Sequence, residues 1–478
     1  MPESDDSILQ RLREIVGDAG VLAGEADRQV FAYDGTPLLH RPPLCAVAPT
    51  APAQVGDVLT AANELGFGVV ARGSGTGLAG GAVPFDPDEA GGRPCVVILF
   101  PKWNEIEEID EENLTAWVQP GVITQTLHQA VEARGLFYPP DPGSQRVCTI
   151  GGNVAMNSGG LRGLKYGVTG DYVMGIEGYL PTGEFFRVGG KNVKDVAGYD
   201  LKRLLVGSEG TLGVFTRILV RLVPAPRTSR TLLAAFSRAV DGAATVRAII
   251  AQKIIPATLE FVDNTTLRCV EDYAHVGLPL DAESLLLMET DGHPAQVEEE
   301  AEIMLRTARE HGATSVEVAE TAAEADRLKT ARRMAFTALA RLRPTTLLED
   351  ITVPRSELPG MVEEVARIAK RNDILVGTFG HAGDGNLHPT ILCDERDSAE
   401  MARVDRALDE LFEAAVARGG TVTGEHGVGL AKRPYFNRLS VPGTLELTRR
   451  VRDAVDPNGV LNPSKILPPT VRSETLVV

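Results

Sequence analysis

Three of the chain's eight histidines fall in two short glycine-rich stretches. In GHAGDGNLHP, from Gly380 to Pro389, His381 and His388 stand seven residues apart around Gly383-Asp384-Gly385-Asn386. That run favours reversal of the chain between two strands, so the spacing predicts two imidazoles facing each other across a hairpin. GEHGVG, from Gly424 to Gly429, sets Glu425 and His426 between glycines that let the backbone approach a ligand closely. His381, His388 and Glu425 together make a ligand set for a divalent metal that keeps positions open for substrate. His426 is then left as a free base beside the metal. The plain alternative is a set of ordinary turn histidines.

The elements that must position these groups alternate from Leu44 onward. Leu44 to Val47 reads as a strand, Ala53 to Leu65 as a helix apolar at Val55, Val58, Leu59 and Ala62, and Val69 to Ala71 as the next strand. A short amphipathic segment (Leu9, Leu12, Ile15, Val16) precedes them. RGSGTGLAGG, from Arg72 to Gly81, then places five glycines in the nine residues from Gly73 to Gly81. Such density lets consecutive N–H groups curl around a phosphate. No Gly-Lys-Ser/Thr closes the loop as in a Walker A motif, and Pro84 and Pro87 forbid the helix of a Rossmann fingerprint. PPDPGSQRVCTIGGNVAMNSGG, from Pro139 to Gly160, repeats the theme. So does GYDLKRLLVGSEGTLGV, from Gly198 to Val214, helical through Leu201, Leu204 and Leu205 before a strand from Leu212 to Val223. Three such loops in one region point to one long cofactor.

At 478 residues the chain exceeds one ordinary core, and its formal net charge of -17 excludes a nucleic-acid surface. Cys45, Cys95, Cys148, Cys269 and Cys393 form no C-x-x-C pair, which excludes a disulfide framework, an iron–sulfur cluster and c-type haem. The acidic start MPESDDSILQ has no apolar leader, and no run is long enough to span a bilayer. A cytoplasmic protein is expected, reaching any membrane only through partners.

VPAPRTSR, from Val223 to Arg230, marks a domain boundary. Beyond it, strands at Leu232 to Phe236, Thr258 to Val262, Leu285 to Glu289, Leu347 to Val353 and Ile374 to Phe379 alternate with helices such as Ala295 to His311 and Met361 to Arg371. They predict an antiparallel sheet with helices on one face, carrying the metal hairpin. A long helix from Met401 to Arg418 leads to GEHGVG, and the tail after Pro468 is expected to be loose.

The order of RGSGTGLAGG, PPDPGS with TIGGNVAMNSGG, and GSEGTLG resembles the FAD-binding domain of the vanillyl-alcohol oxidase and p-cresol methylhydroxylase superfamily. GHAGDGNLHP, GEHGVG and DPNGVLNPSKIL resemble its FAD-linked oxidase C-terminal domain. Glycolate oxidase flavin subunits and D-lactate and D-2-hydroxyglutarate dehydrogenases share these features. The resemblance implies an α+β fold: a two-subdomain FAD-binding domain (residues 1–225, core about 42–225), an antiparallel-sheet substrate and metal domain covered by helices (226–440), and a C-terminal segment (441–478) returning to the FAD domain. It implies FAD held by Arg72, Gly73, Ser74, Gly75, Thr76, Gly77, Pro140, Asp141, Ser144, Thr149, Gly151, Gly152, Asn153, Ser158, Gly159, Gly160, Glu209 and Gly210. Relatives with covalent flavin use a histidine near the first loop; Arg72 to Gly81 has none, so a dissociable FAD is expected.

The activity implied is oxidation of a small 2-hydroxy acid to the 2-oxo acid. The metal, zinc first and manganese or iron as alternatives, would act as template and Lewis acid, His426 as base, and flavin N5 as hydride acceptor. Arg332, in TARRMAF, falls where the family's carboxylate-binding arginine stands. The D-2-hydroxyglutarate branch carries a lysine two residues before the aspartate of a D-x-S/T-x-P strand; here that position is Leu348, which favours glycolate or D-lactate. Electrons would leave to a separate protein, quinone or cytochrome acceptor, as in a glycolate oxidase-type complex with other subunits. The rival readings are a non-haem iron oxygenase, a structural-metal protein and an NADPH-dependent flavin reductase. The first leaves the glycine-rich loops unexplained; the second would normally close its shell with a fourth protein ligand, often cysteine, and Cys393 is the only cysteine near; the third leaves Glu425 and His426 without a role.

Overall fold

The computed structural model describes residues 4–468, so the tail expected to be loose lies outside the described residues. The first layer is a four-stranded sheet ordered Val21–Leu22, Cys45–Val47, Cys95–Leu99, Gly68–Arg72, its last three strands parallel. The helix Pro52–Leu65 makes the crossover. Pro52 starts it, and Gly66, at φ 78, ends it in the left-handed conformation that glycine adopts without a Cβ penalty. It buries Val55, Val58, Leu59 and Ala62 against the sheet, with Ile8 and Leu12 of the N-terminal helix Asp5–Val16 in the same cluster. A five-stranded antiparallel sheet follows, ordered Ile106–Asp110, Thr115–Val118, Val214–Arg221, Val173–Tyr179, Phe185–Gly189. The glycine-rich loops emerge where these two sheets meet.

The third sheet runs Ala313–Val318, Thr228–Phe236, Ser284–Gly292, Thr258–Asp263, Leu375–Gly380, Asn386–Cys393, Thr345–Leu348, with Ile351–Thr352 paired to Asn386–Cys393. Its helices cover both faces, not one as the sequence predicts. Leu232, Ala234 and Phe236 meet the helices Ala239–Ala251, Pro294–Glu310, Leu358–Arg371 and Ser398–Ala417. Leu233 and Ala235, one residue out of step, meet Asn264–Ala274, Ala322–Arg333 and Ala335–Leu339. The physical reason was present in the strand itself, which is apolar at successive positions rather than at alternate ones.

A second departure is more local. The single strand expected over Leu347 to Val353 is two pieces, interrupted at Glu349 and Asp350. Asp350 is fully buried there and accepts hydrogen bonds from a neighbouring loop, which pulls the chain out of the ladder. The segment after the helix Pro442–Val455 adds to the first sheet: Leu461 bridges Val69 in parallel, and Asn462 N donates to Val69 O at 2.8 Å.

Candidate active site

The hairpin forms as its turn residues require. Phe379 pairs with His388 in register, and Gly385 takes the positive φ, 77°, that closes the reversal. His381 and His388 meet edge to face with ring centres 5.3 Å apart. Each ring is fixed through Nδ1: His381 lies 2.7 Å from Glu260 Oε1, and His388 lies 3.3 Å from the Glu349 carbonyl oxygen. These partners accept only, so a neutral ring keeps its proton at Nδ1 and offers the Nε2 lone pair. Both Nε2 atoms point at one carboxylate oxygen, Glu425 Oε1, at 3.0 and 3.3 Å.

Three lone-pair donors converging in a buried space need a cation. Burial opposes charge on His381, but Glu260 and Glu425 outweigh it and hold the imidazole well above its usual range. Glu425, with burial again opposed by His381, is held well below the carboxylate range. A divalent ion would take the place of that proton, and the donor set fits one. Asp350, His388 and His426 are also close enough to share an ion. That set fits less well, because Asp350 Oδ2 already accepts from Thr423 Oγ1 and from the amides of Gly424, Glu425 and His426 at 2.6 to 3.0 Å.

Asp350 thereby shapes the GEHGVG loop. His426 is stacked on His388, ring centres 5.1 Å apart, and its Nδ1 is buried without a hydrogen-bond partner, 4.0 Å from Asp350 Oδ2. Burial lowers His426 to about 4, so it is a neutral imidazole at physiological pH. Arg332 is buried over the Phe379 ring, 4.6 Å from its centre. Its Nε donates to Glu260 Oε2 at 2.5 Å, which leaves the Nη groups for a ligand.

All five of these residues (Arg332, His381, His388, Glu425, His426) line a cavity of about 640 Å3. The same cavity is lined by residues 72–77, Ser144, Thr149, residues 151–153, Ser158, Glu209 and Gly210, so the structure brings most of the expected flavin contacts to one wall. Pro140, Asp141, Gly159 and Gly160 are not on that wall. Pro140 O lies 2.9 Å from His128 Nε2, and Asp141, raised to about 6 by burial, accepts from Arg162 N. Gly159 sits under Glu425, where a Cβ would come within 2.7 Å of Oε2, and one at Gly160 would meet Asp141 O at 2.5 Å. Arg72 braces the first loop from beneath, donating to Tyr33 O at 2.6 Å. Among the described residues the amides of 74–78 donate to no protein acceptor. Gly75 has φ 69, and a Cβ there would stand 2.1 Å from the Arg72 guanidinium. A row of free amides on a glycine loop fits a pyrophosphate.

Sequence reasoning missed Glu260 and Asp350. Glu260 is a lone carboxylate in the otherwise apolar TLEFV, and Glu349-Asp350 is an acidic pair set in the apolar run LLEDITV; those are the signals that could have found them.

Two sheets flanking a glycine-lined cavity, joined to an antiparallel sheet that carries the histidine hairpin, define an FAD-dependent oxidoreductase. Residues 43–189 match the FAD binding domain family, and residues 225–466 match the family described as FAD linked oxidases, C-terminal domain. The chain belongs to the FAD-linked oxidases. It is 50% identical over 469 residues to the glycolate oxidase subunit GlcD of Bacillus subtilis (strain 168), covering 98% of each chain. It is 35% identical to the D-lactate dehydrogenase of Archaeoglobus fulgidus over 91% of this chain and 95% of that one. In fold it is similar to p-cresol methylhydroxylase with substrate bound, with a TM-score of 0.79 at 18% identity over 98% of each chain.

Proposed function

We propose that this chain is a dehydrogenase of small 2-hydroxy acids, glycolate or D-lactate first, yielding the 2-oxo acid. The observation that carries the reading is that the flavin loops and the His381, His388, Glu425 and Arg332 cluster share one cavity. His381, His388 and Glu425 would hold a divalent metal, zinc first, which when bound supplies Lewis acidity to the substrate hydroxyl. Bound non-covalently on the glycine-rich loops, FAD supplies the hydride acceptor.

The chain's own residues do the rest. Arg332, held over Phe379 by Glu260, presents its Nη groups to the substrate carboxylate. His426 faces Asp350 with Nδ1 and the Glu425 side with Nε2, so Nε2 collects the hydroxyl proton and Asp350 stabilises the resulting imidazolium. Leu348 lines the cavity without offering a cation to a second carboxylate, which favours a monocarboxylate substrate. Electrons then pass to a separate acceptor. Support comes from the absence of cluster or haem cysteine spacing and from the word subunit in the name of the Bacillus relative. We place the protein in the cytoplasm. Among the described residues no helix is long and apolar enough to cross a membrane.

Flavin absorbance, metal analysis and single-turnover reduction on one set of variants test the reading. His381→Ala and His388→Ala should lose metal and 2-hydroxy acid oxidation together while keeping FAD. His426→Ala should keep both metal and FAD and reduce its flavin roughly 10²–10⁴ times more slowly, the usual loss for a missing general base. Metal at full stoichiometry in the double histidine variant, or an unchanged rate in His426→Ala, would sink the mechanism.

A further inference from the structure

Glu209 lies on the cavity wall, in a glycine-rich turn that reads as flavin-binding, yet its carboxylate is turned elsewhere. Oε1 accepts from Val428 N at 2.7 Å and Oε2 from Gly429 N at 2.6 Å, both in the GEHGVG loop. The residue is buried and sits at φ 52, a left-handed conformation that a side chain other than glycine occupies only when its surroundings hold it there. They do. Glu209 N donates to Ala155 O at 2.8 Å, while Asn462 Nδ2 donates to Glu209 O at 2.7 Å and to Gly81 O at 3.0 Å. The backbone of Glu209 is thus tied to the wall of the flavin cavity and its side chain to the loop carrying Glu425 and His426.

The loop is gripped from two directions. Asp350, from the metal-bearing sheet, takes the amides of Gly424, Glu425 and His426. Glu209, from the flavin side, takes the next two amides after Gly427, where a Cβ would come within 2.9 Å of its Oε1. Asp350 sets the loop against the histidine hairpin; Glu209 sets it against the flavin. Among the described residues Glu209 makes no ion pair, so the amides are its main charge-stabilising partners.

We propose that Glu209 is a positioning residue that fixes His426 relative to the flavin, and not primarily a cofactor ligand. This rests on the reading of His426 as base given above. A carboxylate held by two amides has geometry as its product: shortening it by one methylene keeps the charge in the cavity and takes both acceptors out of reach.

Glu209→Asp and Glu209→Gln separate placement from charge. In the flavoenzyme, Glu209→Asp should keep FAD and metal at wild-type stoichiometry, keep the flavin midpoint potential, and hold KM within about twofold. Its single-turnover flavin reduction should fall about tenfold or more, as for loss of a charge-assisted hydrogen bond that matters to the reaction geometry. Glu209→Gln, which keeps the shape and one acceptor, should fall less, and it serves as the test if the shorter side chain does not yield folded protein. Either variant reducing its flavin at the wild-type rate, or losing FAD in proportion to its activity, overturns the proposal. Wild-type protein that no 2-hydroxy acid reduces overturns the functional reading and this inference with it; wild-type reduction matched by Glu209→Asp overturns this inference alone.

Discussion

Within a few ångströms, the site drives two imidazoles to opposite states. His381 has carboxylates at both nitrogens and is held cationic, the place a metal ion would take; His426 has neither nitrogen within hydrogen-bonding distance of a partner and is pushed to about 4. Desolvation acts on both rings; carboxylates at hydrogen-bonding distance outweigh it at His381, whereas at His426 the more distant Asp350 and Glu425 do not, and His388 and Lys432 add to the lowering. Lys465 shows the same force on a cation. It is fully buried, donates to Val83 O, and is lowered by burial from 10.5 to about 8. Between those values the unfolded chain holds the proton more readily than the folded one, so this group makes stability rise with pH across that window. Lys465→Met removes the titration. The urea unfolding free energy of wild type relative to Lys465→Met should therefore rise by up to about 3 kcal/mol from pH 8 to pH 10.5, and a flat difference would show that the ammonium is solvated.

At the scale of elements, the break between Thr345–Leu348 and Ile351–Thr352 is what allows a sheet to hold a loop. Asp350, freed from the ladder, accepts from Asn386 Nδ2 as well as from the loop, and Lys432 Nζ stands 3.7 Å away. Asp350→Ala would strand three backbone amides, a hydroxyl and the Asn386 side-chain amide, and would take one of two nearby carboxylates from the buried Lys432. We expect a loss of about 3–5 kcal/mol by urea unfolding together with loss of bound metal. Retention of metal with full stability would mean that the loop is held otherwise. The hairpin histidines were legible from sequence because turn residues and ligands lie within ten positions of each other. The roles of Glu260 and Asp350 were not, since each acquires its role from a segment far away in the chain.

For the whole molecule, the order of glycine-rich loops followed by the histidine and Glu-His motifs was enough to indicate an FAD-linked oxidase. What it could not convey was the cavity wall: Pro140, Asp141, Gly159 and Gly160 belong to the same loops as real lining residues but face inward or toward Glu425. Loop composition records which backbone is permissive, while the direction each residue faces is set by tertiary packing.

The parallel bridge between Val69 and Leu461, with Lys465 reaching Val83 across 382 residues, also bears on the order of events during synthesis. The first sheet leaves the ribosome early but lacks an edge and a buried cation until the segment after Val455 has been made, on the order of 20–80 s later at ordinary elongation rates. A chain stopped at Val455 should therefore emerge without FAD absorbance and be cut rapidly by protease within its first hundred residues, whereas the full chain resists. On that outcome, flavin capture waits for the segment that follows Val455.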